Sequence, residues 1–169
     1  MKRIYTIWGG LFGFDGFVTG TAMKQLEAVL AKYGPVKSYM QQSTGRLVDD
    51  LVNQTFAKDL AIVIGHSGGG VMATVACQKL RLRSQDVALL ITLDGSPAAN
   101  MQPVKDNVQH VLDICNPQPQ QFLFWPLGAG ITPTENKSRH EVIHIAAGHI
   151  GYPADPRVME LVENAVKRL

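Results

Sequence analysis

The 169-residue sequence predicts an α/β fold, a three-layer sandwich in which helices cover a mostly parallel central sheet of about six strands. Three observations carry that prediction. Strand-like and helix-like segments alternate along the chain. Two strand-like segments, LAIVI at 60–64 and VALLITL at 87–93, are apolar throughout, as strands covered on both faces are. With 46% hydrophobic and 18% charged residues, the composition suits a single domain, residues 1–169, with a sizeable core and excludes a disordered chain or a coiled coil.

Taken in order, residues 3–8 (RIYTIW) are β-branched and aromatic and run into glycines, a strand and a tight loop. Residues 21–33 set Met23, Leu26, Leu30 and Tyr33 at helical spacing, and Gly34 with Pro35 stops them. Val36 to Met40 form a short strand. Residues 45–58 then carry Leu47, Val48, Leu51, Val52 and Thr55 on one helical stripe. The strand 60–64 is followed by GHSGGG and a helical VMATVACQKL, and the strand 87–93 ends at Asp94. Segments 107–115 and 141–146 read as two further strands, and 155–168 as a last helix with Pro156 in its first turn. Pro117, Pro119, Pro126 and Pro133 break up 116–139, where no regular element is obvious, and a span of this length reads as a lid or substrate loop or hides a short helix.

Charge excludes some function classes. Sixteen basic residues against fourteen acidic ones leave +2, and no basic stripe could follow a phosphate backbone, so nucleic-acid binding is not expected. Lys79, Arg81 and Arg83 read as a helix C-terminus. No run approaches the ~18 apolar residues of a membrane span. Lys2 and Arg3 ahead of IYTIWGGLFGF imitate a secretory signal, but three glycines interrupt its apolar core and no small-x-small site follows. With Cys77 and Cys115 far apart and outside any CxxC spacing, a cytoplasmic chain with reduced thiols is expected.

Gly65, Ser67 and Gly69 match GxSxG between a buried strand and a helix, the context in which a serine sits exposed on a strained turn. The amide of Gly68 would then donate to an oxyanion at the helix N-terminus. A serine needs a base, and His149, just past the last strand in AAGHIGYP, falls at the same sheet edge. His66 normally points away from such a turn, and His110 and His144 fall within strands as packing residues. Asp94, at the end of the strand after the serine's helix, is the expected carboxylate partner of His149, with Asp113 as the rival. WGGLFG at 8–13 would offer a second oxyanion donor from Gly10 or Leu11. Nine of the 16 glycines lie in 9–20 and 65–70, and this reading gathers both windows around one oxyanion. Phe12 and Phe14, with Phe17 beside them, and Phe124 and Trp125, with Phe122 and Leu123, would line an apolar acyl cleft.

On these residues the chain resembles the α/β-hydrolase superfamily, and GHSGGG looks like the elbow of its lipases and thioesterases. The resemblance spans nearly the whole chain. It implies a serine nucleophile, a histidine base, an acidic partner and no cofactor or metal, carried onto Ser67, His149 and Asp94, and an ester or thioester as substrate. DGSPAAN at 94–100 also resembles the GSP segment of class 3 lipases, which take their acid after the next strand, here near Asn116 and Asp113. The chain is short for the superfamily, a minimal fold without a cap domain, so substrate selection is expected from 11–20 and 116–139. Two other readings stay open: a hydrolase-fold binding protein without turnover, and a dinucleotide fold, since Gly68, Gly70 and Ala73 also satisfy GxGxxA.

Overall fold

A computed structural model describes residues 1–9, 16–54, 59–96, 103–122, 125–135 and 137–169. Five strands and three helices alternate first: β1 (Lys2–Trp8), α1 (Gly16–Leu30), β2 (Val36–Met40), α2 (Thr44–Gln54), β3 (Leu60–His66), α3 (Gly68–Arg81), β4 (Leu89–Leu93) and β5 (Val111–Cys115). A short pair, β6 (Gln120–Phe122) and β7 (Trp125–Leu127), precedes β8 (His140–His144) and α4 (Pro156–Arg168).

The central sheet has six strands in the order β2-β1-β3-β4-β5-β8, every neighbouring pair parallel. Its two faces explain the continuous apolar runs. On one face Ala61, Val63 and Leu90 pack with Leu47 and Leu51 of α2 and Ala76 and Leu80 of α3. On the other, Ile62, Ile64 and Ile91 meet Met23 and Leu26 of α1 and Val158 and Val162 of α4. Successive side chains leave a strand in opposite directions, so a strand buried twice has no polar position to spare. Asp155 caps α4 by accepting from the Arg157 amide, with Pro156 at the first helical position as expected.

The structure departs from the sequence reading at element ends and in one loop. Only 111–115 of the segment 107–115 is strand, because Val108 turns back onto Lys105 and the Asn107 side chain donates to the Cys77 carbonyl instead. α1 runs from 16 to 30 rather than 21 to 33, leaving Tyr33 in the turn after it, and β8 covers 140–144 rather than 141–146. The span 116–139, without an obvious regular element in the sequence, holds the antiparallel pair β6-β7. Its prolines hid it: Pro126 lies within β7, a position that a two-stranded ribbon tolerates because half its amides need no partner. No helix among the described residues is long and apolar enough to cross a membrane.

The strand order reverses between β1 and β3, and all six strands point the same way. Their carboxyl ends therefore share one edge, the edge at which open α/β sheets place their sites.

Candidate active site

Ser67 stands at that edge, between β3 and α3, with φ 55° and ψ −127°. For a non-glycine residue this backbone costs about 1–3 kcal/mol, so the surroundings must hold it. They do so from three sides. The Ser67 amide donates to the Leu93 carbonyl at 3.0 Å, and the Ser67 carbonyl accepts from the amides of Gly70 at 2.9 Å and Ser96 at 3.2 Å. The flanking glycines let β3, α3 and β1 meet: a Cβ on Gly65 would strike the Gly69 carbonyl, and one on Gly69 the Ile7 carbonyl. A Cβ on Gly9 would lie 2.5 Å from the Gly68 nitrogen. The first glycine window thus reaches the turn at Gly9.

His149 lies in the segment between β8 and α4, buried at 6% exposure. Its Nε2 is 2.9 Å from Ser67 Oγ, and its Nδ1 is 2.6 Å from Asp94 Oδ2. The structure thus joins Ser67, His149 and Asp94 in one hydrogen-bonded chain. Asp94 is fully buried just past β4 with φ 44°. Besides His149, its carboxylate accepts from the Asn116 amide at 2.9 Å, the Asn116 side chain at 2.8 Å and the Ala129 amide at 3.0 Å. Burial pushes its pKa up, but the hydrogen bond to His149 and the amides of Asn116 and Ala129 outweigh it, and the net direction is down. Gly128, at φ +74°, passes so close that a Cβ would collide with both carboxylate oxygens.

Asp113 is equally buried and meets a different histidine. Its Oδ2 accepts from His140 Nε2 and from the Thr132 amide, both at 2.7 Å, and its Oδ1 from the hydroxyls of Thr92 and Thr132. His66 also departs from expectation. Instead of pointing away, its fully buried ring places Nε2 2.9 Å from the His149 carbonyl oxygen. His110 and His144 are exposed rather than core, His110 just before β5 and His144 ending β8 with Nδ1 3.6 Å from Cys115 Sγ. Burial, followed by the charges of Asp113 and Asp94, pushes the Cys115 thiol up to about 11, which keeps it protonated.

Two polar residues to which the sequence reading gave no bracing role hold the site. Asn116 donates to both Asp94 oxygens and accepts from the Ala147 amide at 3.1 Å. Gln120 donates to the Ala147 carbonyl at 2.8 Å and accepts from the His149 amide at 3.2 Å. Only their place after β5 and in β6, opposite the His149 loop, could have signalled them. Gly10, Leu11, Phe12, Phe14 and Phe124 lie outside the described residues, as does the side chain of Trp125. Gly68 and Gly70 fall inside the first turn of α3, so the GxGxxA segment forms no separate loop that could wrap a pyrophosphate.

The family model of the PGAP1-like alpha/beta domain matches residues 25–146, more than half of the chain. The chain belongs to that family. Its matched span includes Ser67, Asp94 and Asn116 and ends three residues before His149. Solved structures share the fold of this PGAP1-like domain at low identity. A protein from Xanthomonas campestris pv. campestris assigned to the α/β hydrolase superfamily is 9% identical, with a TM-score of 0.64 over 98% of this chain and 99% of that one. The thioesterase domain SrfTE, which cyclises the lipopeptide antibiotic surfactin, is 12% identical, with a TM-score of 0.61 over 98% and 91%. Est1E from Butyrivibrio proteoclasticus is 14% identical, with a TM-score of 0.55 over 98% and 86%. These likenesses establish the α/β-hydrolase fold. No curated protein matches the chain by sequence.

Proposed function

We propose that this PGAP1-like domain is a serine hydrolase that cleaves an ester or thioester through a covalent acyl-enzyme. The observation that carries the reading is the unbroken chain from Ser67 Oγ to His149 Nε2 at 2.9 Å and from His149 Nδ1 to Asp94 Oδ2 at 2.6 Å. Ser67 Oγ attacks the substrate carbonyl while His149 Nε2 takes its proton. Asp94, held ionised by its donors, fixes the Nδ1–H tautomer and stabilises the imidazolium. The carbonyl oxygen becomes an oxyanion at the N-terminus of α3, where the Gly68 amide donates; Gly10 or Leu11 supplies the second donor in this reading.

His149 then gives the proton to the departing alcohol or thiol. A water activated by the same imidazole releases the acyl group and restores Ser67. The acyl cleft is assigned to the aromatic residues Phe12, Phe14, Phe124 and Trp125. The α/β-hydrolase fold and the thioesterases and esterases among the structural neighbours support this class of chemistry.

A fluorophosphonate, which phosphonylates an activated serine, tests the reading directly. The folded protein is expected to be labelled at Ser67, and Ser67→Ala to lose all labelling. An unlabelled wild type, or unchanged labelling in Ser67→Ala, would falsify it.

A further inference from the structure

His66 is a buried ionisable group that the proposed chemistry leaves unused, and we infer that it is a positioning residue. Its Nε2–H holds the main chain of His149 and thereby sets the separation of Ser67 and His149. The inference rests on the acyl-transfer reading above.

A carbonyl oxygen only accepts, so the 2.9 Å contact between His66 Nε2 and the His149 oxygen requires the proton on Nε2. His66 Nδ1 is then a bare acceptor, and it is buried without a partner among the described residues. An apolar side chain would fill the space without that unsatisfied atom, so the feature specific to histidine here is the N–H. Burial, and after it the neighbouring His149, lowers the His66 pKa to about 3, with Asp94 as the nearby negative charge opposing the shift. The donor therefore stays neutral and in place at neutral and mildly acidic pH.

The covalent neighbour of His66 makes this contact different from the others on the loop. His66 and Ser67 share a peptide bond. Ser67 Oγ meets His149 Nε2, and the His149 carbonyl meets His66 Nε2, which closes a ring of two hydrogen bonds, both 2.9 Å, between two short segments. The imidazole rings lie 5.1 Å apart at 37°, so the link runs through the N–H and the carbonyl rather than through stacked faces. Gln120 and Asn116 brace the loop from β6 and from the end of β5, outside this ring.

Histidine-selective 15N NMR of the wild type is the first test. His66 is expected to show a protonated Nε2 and a bare Nδ1 from about pH 8 down to about pH 5. A proton on Nδ1, or titration of His66 in that range, overturns the inference. The second test compares His66→Gln, which keeps a donor at similar reach, with His66→Met, which has a similar size and no donor. His66→Met should lower the maximal fluorophosphonate labelling rate about 100-fold with probe affinity unchanged, and His66→Gln should recover to within about 5-fold of wild type. The low-field Nδ1–H resonance of His149 should vanish in the Met variant and persist in the Gln variant. Wild-type behaviour of His66→Met, or equal loss in both variants, refutes the positioning role. If the wild type takes no label, the acyl-transfer reading fails by itself, and the two NMR readouts still decide what His66 does.

Discussion

Two fully buried aspartates, one just past β4 and one in the neighbouring strand β5, each hold a histidine, yet among the described residues only His149 meets a serine hydroxyl. Asp94 lies just past the end of β4, where the backbone turns at φ 44°, and its His149 turns the far nitrogen to Ser67. Asp113 lies one strand over, inside β5, and its carboxylate ties the edge strand β8 through His140 and the 130–135 segment through Thr132. Both pairs are short and shielded from water. The difference teaches that position along the strand decides what an Asp–His pair can reach: past the carboxyl end it meets the Ser67 turn, which is what the proposed chemistry needs, and within the strand it is a cross-link.

The largest expected contrast is between the two histidines. His149→Ala should slow fluorophosphonate labelling by about 10⁵-fold, whereas His140→Ala should stay within about 3-fold of wild type. Equal losses would erase the distinction. The aspartates should separate along different axes. Asp94→Asn is expected to lower labelling by about 10⁴-fold, because the amide no longer fixes the His149 tautomer. Asp113→Ala should instead label normally and lose about 3 kcal/mol in chemical denaturation, because Thr92, Thr132 and His140 are left without their shared acceptor.

His66 sharpens the comparison through pH. Its folded pKa of about 3 lies below the ordinary 6.5, so between those values the unfolded chain binds about one more proton than the folded one. Stability from this group is complete above pH 6.5 and falls by about 1.4 kcal/mol per pH unit as the pH drops toward 3. Asp94 runs the same way in a lower window, its contribution complete above the ordinary 3.8 and lost as the pH falls through its depressed folded value. Denaturation series at several pH values should show the upper slope in wild type and lose it in His66→Gln.

The smallest expected effects distinguish two glycines. Gly128→Ala would press a Cβ onto the Asp94 carboxylate at φ +74° and should cost about 2 kcal/mol along with labelling rate. Gly148, beside His149, has nothing among the described residues within 4 Å of an added Cβ, and Gly148→Ala should change stability by less than about 0.5 kcal/mol. A reversed order would mean that the Asp94 side of the site is looser than its geometry.

The alternation of buried strands and helices, the placing of Ser67 on the β3–α3 turn and the sheet edge reached by His149 follow from the sequence alone. Each rests on local signals, apolar runs and a glycine-flanked serine, that short stretches of chain carry by themselves. Tertiary structure decided the rest. Asp94 and Asp113 are both acids near strand ends, and only the strand register with the fold of residues 128–132 gives one to His149 and the other to His140. Asn116, Gln120 and the inward turn of His66 were illegible for the same reason. Their partners lie 22 to 83 residues away, and a hydrogen bond over that distance leaves no periodicity to read.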